Sequence, residues 1–200
     1  MTDVNVEVIV CDNCSTDDTP VVMQRFSDNP KVKYFRSSFN IGPTANYNQC
    51  LERASGQYFM ILGDDDWLSP NYGQVLIETT RNEDVIFVGR CIATAPDGTA
   101  THKSSDSEFE VSGPEFIRDL IQLEPYTARH AYFMFAARTK SMRDAGGFPS
   151  TEAGQHTDNM LLMRLLVDRK IRNNPAAVNY YAVYPESYGN SNVRSVAVAT

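Results

Sequence analysis

Three consecutive carboxylates, Asp64-Asp65-Asp66, are the sharpest chemical feature of this sequence. Like charges held this close repel, so a site that keeps them together gains from a bound cation. An all-oxygen set suits Mn2+ or Mg2+, and Mg2+ characteristically binds through one or two carboxylates plus substrate phosphates. The competing reading is a solvated acidic turn. A second cluster runs Asp12-Asn13-Cys14-Ser15-Thr16-Asp17. Asp12, just past a run of β-branched residues, can accept hydrogen bonds from a base or a ribose. Ser15, Thr16 and Asp17 suit the capping of a following helix. Cys11-x-x-Cys14 has redox or zinc spacing, but no second pair and no nearby histidine completes a metal set. His102, His130 and His156 are isolated. Arg164, Arg169, Lys170 and Arg172 read as the solvated face of a helix, and Tyr180, Tyr181, Tyr184 and Tyr188 as packing residues whose rings also suit sugar faces.

The elements that must position these groups alternate in pattern. Residues 4–11 (VNVEVIVC) read as a buried strand. A helix is expected over 18–27, with Pro20 tolerated in its first turn. Residues 31–35 form a second strand, 42–54 a helix stopped by Gly56, and 57–62 a third strand that runs straight into Gly63 and the aspartates. A helix over 70–80 leads to a strand over 85–92. This β-α-β-α-β-α-β order predicts an α/β fold with a mostly parallel sheet flanked by helices. Ligands of such sheets sit beyond the carboxyl ends of the strands, and both acidic clusters follow strands. The second half is less regular. It carries a short strand at 109–111, a helix over 112–123, a strand over 130–137, a helix broken at Gly146-Gly147, and a strong helix over 158–170. With no repeat and no linker, residues 1–200 read as one domain, with a regular alternation over 1–95 and a less regular pattern over 96–200.

A resemblance follows from these motifs. The runs VEVIVCDNCSTDDT and FNIGPTANYNQCLERASGQYFMILGDDDWLSP resemble the nucleotide-sugar half of the family-2 glycosyltransferases of GT-A fold. That family shows a strand ending in Asp-x-x-Ser-x-Asp, an Asn-x-Gly ahead of a helix (here Asn40-Ile41-Gly42), and a strand ending in a DXD-type motif. Further on, Gly146-Gly147-Phe148 and Asp158-Asn159-Met160-Leu161-Leu162-Met163-Arg164-Leu165 resemble the element carrying the family's catalytic base, with Asp158 in the aspartate position and Thr157 where glutamate is common. The resemblance implies inverting, metal-assisted transfer of a sugar from a nucleoside diphosphate, UDP above all, to a saccharide or lipid-linked acceptor hydroxyl, in cell-envelope polysaccharide biosynthesis. It implies Asp158 as base, Asp12, Asn40, Gly42, Asn46, Asp64 and Asp65 as nucleotide-sugar contacts, and Asp64 and Asp66 as ligands of Mn2+ or Mg2+. His156, two residues before Asp158, reads as a surface or satisfied histidine, with lining of the acceptor site as the alternative.

Two departures from the family pattern stand out. The metal motif is usually Asp-x-Asp-Asp, and Gly63 occupies its first position, so that either Asp65 with Asp66 or Asp64 with Asp66 form the pair. The family also opens with a strand, a Pro-Thr-Tyr-Asn-like loop and a helix that have no counterpart here. By the resemblance that strand lies centrally in the sheet, which reads as N-terminal truncation or as replacement by an element from elsewhere. A non-catalytic remnant that binds nucleotide weakly, or serves as an interaction module, is the alternative function. An unpaired apolar edge at 4–11 is a template for pairing with another chain, so self-association is expected.

Composition sets the outer limits. Eighteen basic against 25 acidic residues give a net charge of −7, with no basic stripe for nucleic acid or anionic lipid. No apolar run approaches a membrane span, and no secretory signal opens the chain. Four cysteines in 200 residues are no disulfide framework, so a cytoplasmic setting is expected.

Overall fold

In a computed structural model, residues 4–95, 97–104, 106–121, 134–150 and 157–183 are described. The strand and helix order of the first half follows the sequence pattern except for one added short strand, β4: β1 (Val8–Asp12), α1 (Thr19–Gln24), β2 (Val32–Arg36), α2 (Pro43–Arg53), β3 (Tyr58–Phe59), β4 (Trp67–Leu68), α3 (Tyr72–Thr80) and β5 (Ile86–Thr94). The second half adds β6 (Ala100–Lys103), β7 (Phe109–Ser112), α4 (Gly113–Ile121), β8 (Phe135–Arg138), α5 (Thr139–Asp144), α6 (Thr157–Leu166) and β9 (Lys170–Ala182). Ser112 caps α4, its Oγ accepting from the Glu115 N–H at 3.3 Å. The expectations for 122–123, His130 and the strand residues before 134, His156, Tyr184 and Tyr188 lie outside the described residues.

The α/β class holds, and the pairing is more mixed than the crossover pattern suggests. β1 and β2 pair in parallel as a two-stranded sheet of their own. The remaining strands form a second sheet ordered β3-β8-β5-β9-β4, with β6 on β5 and β7 on β9. There β5 and β9 are parallel, while the β3–β8, β5–β8, β4–β9, β5–β6 and β7–β9 pairs are antiparallel. The second half therefore threads its strands between those of the first. The strand expected over 57–62 is reduced to Tyr58–Phe59, because β3 has a ladder partner on one side only, β8.

β9 is the largest departure from the sequence reading. Its 13 residues contain Pro175, which argues against a central strand. The register with β5 jumps from Gly89↔Asn174 to Arg90↔Val178, so Pro175 sits in a bulge where no ladder N–H is required. The cationic run also departs from its expected helix face. α6 ends at Leu166, and Lys170 and Arg172 lie on β9. Arg172 pairs with Glu110 and Glu83, Lys170 with Glu110, and Arg169 with Asp84 and Asp168. These charges are spent joining β7, β9 and the segment before β5.

One core cluster gathers Leu51, Phe59, Ile86, Phe116, Phe135, Phe148, Leu161, Leu162 and Leu165 from both halves, with Ile9 of β1 and Ile61 packing against its side. The β1–β2 sheet is tied to the larger sheet at one end by Glu7, whose carboxylate accepts from the backbone N–H groups of Ser55 and Gly56 at 2.6 Å each. Lys33 and the Ser55 hydroxyl complete its shell at 2.8 Å. Beyond that tie, the apolar side chains of Val6 and Val8 are exposed and none of the six residues of α1 is buried.

Candidate active site

The first acidic cluster is a braced loop. Asp12 ends β1 and is 4% exposed. Its Oδ1 accepts from the Ser15 N–H at 2.7 Å, and its Oδ2 from the Tyr34 hydroxyl at 2.5 Å and Arg36 Nε at 3.1 Å. Burial alone would raise the Asp12 pKa, but these donors and the Arg36 charge outweigh it and hold the carboxyl below its usual range. Burial and the Asp12 contact push the Tyr34 hydroxyl up to about 12. Beside it, Asn13 Nδ2 donates to Asn40 Oδ1 at 2.9 Å, and Asn13 Oδ1 accepts from the Ile41 N–H at 2.8 Å. Asn40 Oδ1 also accepts from the Gly42 N–H at 2.9 Å, closing a turn in which Gly42 has φ +84°, a region that favours glycine. Asn46, one turn into α2, donates to the Cys11 carbonyl at 2.7 Å and leaves its buried Oδ1 without a donor. The predicted contacts Asp12, Asn40, Gly42 and Asn46 are thus brought together around the end of β1.

The Cys-x-x-Cys spacing carries no paired chemistry. Cys14 donates to the Ser38 carbonyl at 3.6 Å, whereas Cys11 lies against Cys50. Burial, and then the Cys11 thiol, push Cys50 up to about 12.

The aspartate triplet forms a tight turn after β3, closed by Asp66 N–H donating to the Gly63 carbonyl at 3.2 Å. Gly63 stands where the family pattern has its first aspartate. A Cβ at that position would lie 2.6 Å from Asp66 Oδ2 and 3.0 Å from Asp65 Oδ1, so the two carboxylates lean over the vacated volume. Asp66 is anchored from β9, its Oδ1 accepting from the Ala182 N–H at 3.1 Å. Burial raises the Asp66 pKa, and the charges of Asp65 and Asp64 add to it against the two backbone donors. Asp64 is exposed beside them. Among the described residues no three His, Cys, Asp or Glu side chains form a ready-made metal cluster. Two converging oxygens with an exposed third carboxylate fit a hard cation that completes its shell with phosphate and water.

Asp158 is the second residue of α6 and partly exposed, with Thr157 buried beside it. The Gly-Gly-Phe element ahead of it proves to be a structural clamp. Gly146 and Gly147 have φ of +85° and +67° and turn the chain at the end of α5. Asn48 of α2 grips the next residue from both sides, donating to the Phe148 carbonyl and accepting from its N–H, each at 2.8 Å. A Cβ on Gly147 would lie 2.4 Å from Asn48 Oδ1, so only glycine permits this approach. Arg143 in turn caps the end of α2, donating to the carbonyls of Leu51, Glu52 and Ala54. Sequence reading missed Asn48, Glu7 and Arg143. Each acts on a backbone distant in the chain, and only Gly147 left a local signal.

The profile of glycosyl transferase family 2 matches residues 2–145. The chain belongs to this family. Among curated family relatives, it is 29% identical over 118 residues to the GalNAc(5)-diNAcBac-PP-undecaprenol beta-1,3-glucosyltransferase of Campylobacter jejuni, covering 56% of this chain and 38% of that one. It is 27% identical over 145 residues to the chondroitin synthase of Pasteurella multocida, covering 70% and 14%. The chain therefore spans well under half the length of these relatives. The GT-A fold is shared with Staphylococcus aureus TarS residues 1–349 in complex with UDP-GlcNAc, at a TM-score of 0.70 and 17% identity, over 90% of this chain and 50% of that one. GalNAc-T7 with UDP, GalNAc and Mn2+ matches at a TM-score of 0.64 and 12% identity, over 92% and 39%. No helix among the described residues of this family-2 chain is long and apolar enough to cross a membrane.

Proposed function

We propose that this family-2 chain transfers a sugar from a nucleoside diphosphate, UDP being the expected carrier, to an acceptor hydroxyl with inversion. The observation that carries the reading is the convergence of Asp65 and Asp66 over Gly63, in the turn that follows β3. Asp12, Asn40, Gly42 and Asn46 receive the nucleoside. Arg36, the exposed partner of Asp12, is the one that yields when a base N–H takes its place. Asp65 and Asp66, with Asp64 alongside, hold Mn2+ or Mg2+ and the diphosphate. A cation bound by these carboxylates would supply neutralisation of the charge on the departing diphosphate. Asp158 takes the proton of the acceptor hydroxyl as it attacks.

The reading treats 1–95 as the donor half and 96–200 as the acceptor half of one domain, working in the cytoplasm on a saccharide or lipid-linked acceptor of cell-envelope polysaccharide synthesis. Calorimetric titration with UDP, with and without Mn2+, tests it. Wild type should bind in a metal-dependent way, and Asp66→Ala should lose that dependence while keeping its fold. Unchanged Mn2+ dependence in the mutant refutes the assignment.

The separation of the β1–β2 sheet from β3 favours a second reading, a non-catalytic remnant that binds nucleotide weakly or pairs through the exposed edge of β1. That reading expects no metal-dependent UDP binding and expects self-association.

A further inference from the structure

Trp67 directly follows the aspartate triplet and is 45% exposed, although it is a large apolar side chain with a sheet beside it. Its ring lies flat on Tyr180 of β9, with centroids 5.2 Å apart and planes 7° from parallel. The two residues are register partners across the antiparallel β4–β9 pair. That pair is fastened on both sides. The Ser69 N–H donates to the Val178 carbonyl at 2.8 Å, the Val178 N–H to Ser69 Oγ at 3.0 Å, and the Ala182 N–H to Asp66 Oδ1 at 3.1 Å. The result is a rigid aromatic stack at the rim, directly beside exposed carboxylates. Core packing does not account for a half-exposed tryptophan there.

The stack and the Asp12–Asn40 loops stand on different strands. The Asp12–Asn40 loops belong to the β1–β2 sheet, which Glu7 ties to the segment before β3. β4 lies at the opposite end of the strand order from β3, and the triplet connects the two. A group resting on Trp67 and Tyr180 is therefore held by a different pair of strands from the pair that carries the Asp12–Asn40 loops.

We propose that the Trp67–Tyr180 stack is the platform for a pyranose ring of a saccharide acceptor, an inference that rests on the glycosyltransferase reading above. A pyranose presents a face of C–H groups that lies flat on an aromatic ring, and the half-exposed Trp67 ring offers such a surface. Rigid aromatic surface binds at little entropic cost, which suits a weak, ring-reading subsite.

Trp67 is the chain's single tryptophan, so its fluorescence reports on this spot alone. The 200-residue chain would be titrated with methyl β-D-glucopyranoside, methyl β-D-galactopyranoside and methyl N-acetyl-β-D-glucosaminide, with ribitol as a polyol lacking a ring face. A saturable emission change with at least one pyranoside, absent with ribitol and unaffected by UDP plus Mn2+, is expected. Tyr180→Phe should keep the affinity, and Tyr180→Ala should weaken it about fivefold to tenfold. No saturable change with any pyranoside, or an equal change with ribitol, overturns the proposal. Competition by UDP-N-acetylglucosamine but not by UDP also overturns it, because the stack would then hold the donor's sugar. UDP–Mn2+ calorimetry on the same preparations is independent of Trp67. A failed nucleotide reading therefore shows there, and a failed platform in the fluorescence.

Discussion

Gly63→Ala isolates the geometry of the carboxylate pair from its chemistry. The substitution removes no ligand and adds one methyl group. That methyl would stand 2.6 Å from Asp66 Oδ2, 3.0 Å from Asp65 Oδ1 and 3.1 Å from Asp66 Cγ. Reaching ordinary van der Waals separation requires the Asp66 carboxyl to withdraw by roughly half an ångström to an ångström. Asp66 cannot do so freely, because its Oδ1 is held by the Ala182 N–H at 3.1 Å. Loss of that half-buried hydrogen bond would cost about 1 kcal/mol, the ordinary net worth of a hydrogen bond. The atoms that must move are side-chain ends at the rim, so the fold should survive. Urea unfolding should shift by about 1 kcal/mol or less. The expected effect on function is larger, since misplacing a group that orients a metal ligand typically costs about 10–100-fold in metal affinity. In calorimetry, UDP affinity in the presence of Mn2+ should fall by about that factor, with metal-free UDP binding unchanged. Wild-type affinity in the mutant with Mn2+ would refute the idea that Asp65 and Asp66 act together over Gly63.

Other changes test neighbouring parts of the argument. Asp158→Asn is nearly isosteric and should leave UDP binding intact while sugar transfer falls by about 10²–10⁴, measured as released UDP; full activity would remove Asp158 from the role of base. Glu7 is held at about 2 rather than 4.5, its burial being outweighed by Lys33, Ser55 and Gly56. Because its folded pKa is depressed, its contribution is present above about pH 4.5 and is lost as pH falls towards 2. That lowering corresponds to at most about 3 kcal/mol, and partial exposure reduces it to about 1–2. Glu7→Gln should therefore destabilise by about that amount at pH 7, with the gap closing in acid; a pH-independent gap in urea melts would contradict it. Asn48→Ala leaves the Phe148 N–H and carbonyl without their partner and should cost about 1–3 kcal/mol in the same assay. Light scattering on the 200-residue chain should give a mass above one chain, through the edge of β1; a monomer at high concentration, unfolding cooperatively, would refute this.

Much of the site could be read locally. β-branched runs ending in polar clusters put Asp12 and the triplet after strands, because a strand that runs out of apolar residues must turn at the sheet's rim. The Asn40-Ile41-Gly42 turn and α2 were legible for the same reason: the asparagine, the glycine and the helical spacing each act within a few residues. Gly63 was legible only as a departure from a motif. Only the tertiary structure shows that a Cβ there would meet the carboxylates of Asp65 and Asp66.

What tertiary structure alone decided lies at long separation. Pro175 reads as a strand breaker until β5 is laid beside it and the bulge absorbs it. Arg172 reads as a helix-face charge until Glu83 and Glu110 arrive from other elements. Asn48 grips a backbone 100 residues away, and Trp67 meets Tyr180 across a strand pair that neither short segment would form alone. Periodicity and capping record what a residue does with its near neighbours. A contact between distant segments leaves a trace in the sequence only where it forbids a side chain, as at Gly147, where the oxygen of Asn48 stands in the space that a Cβ would need.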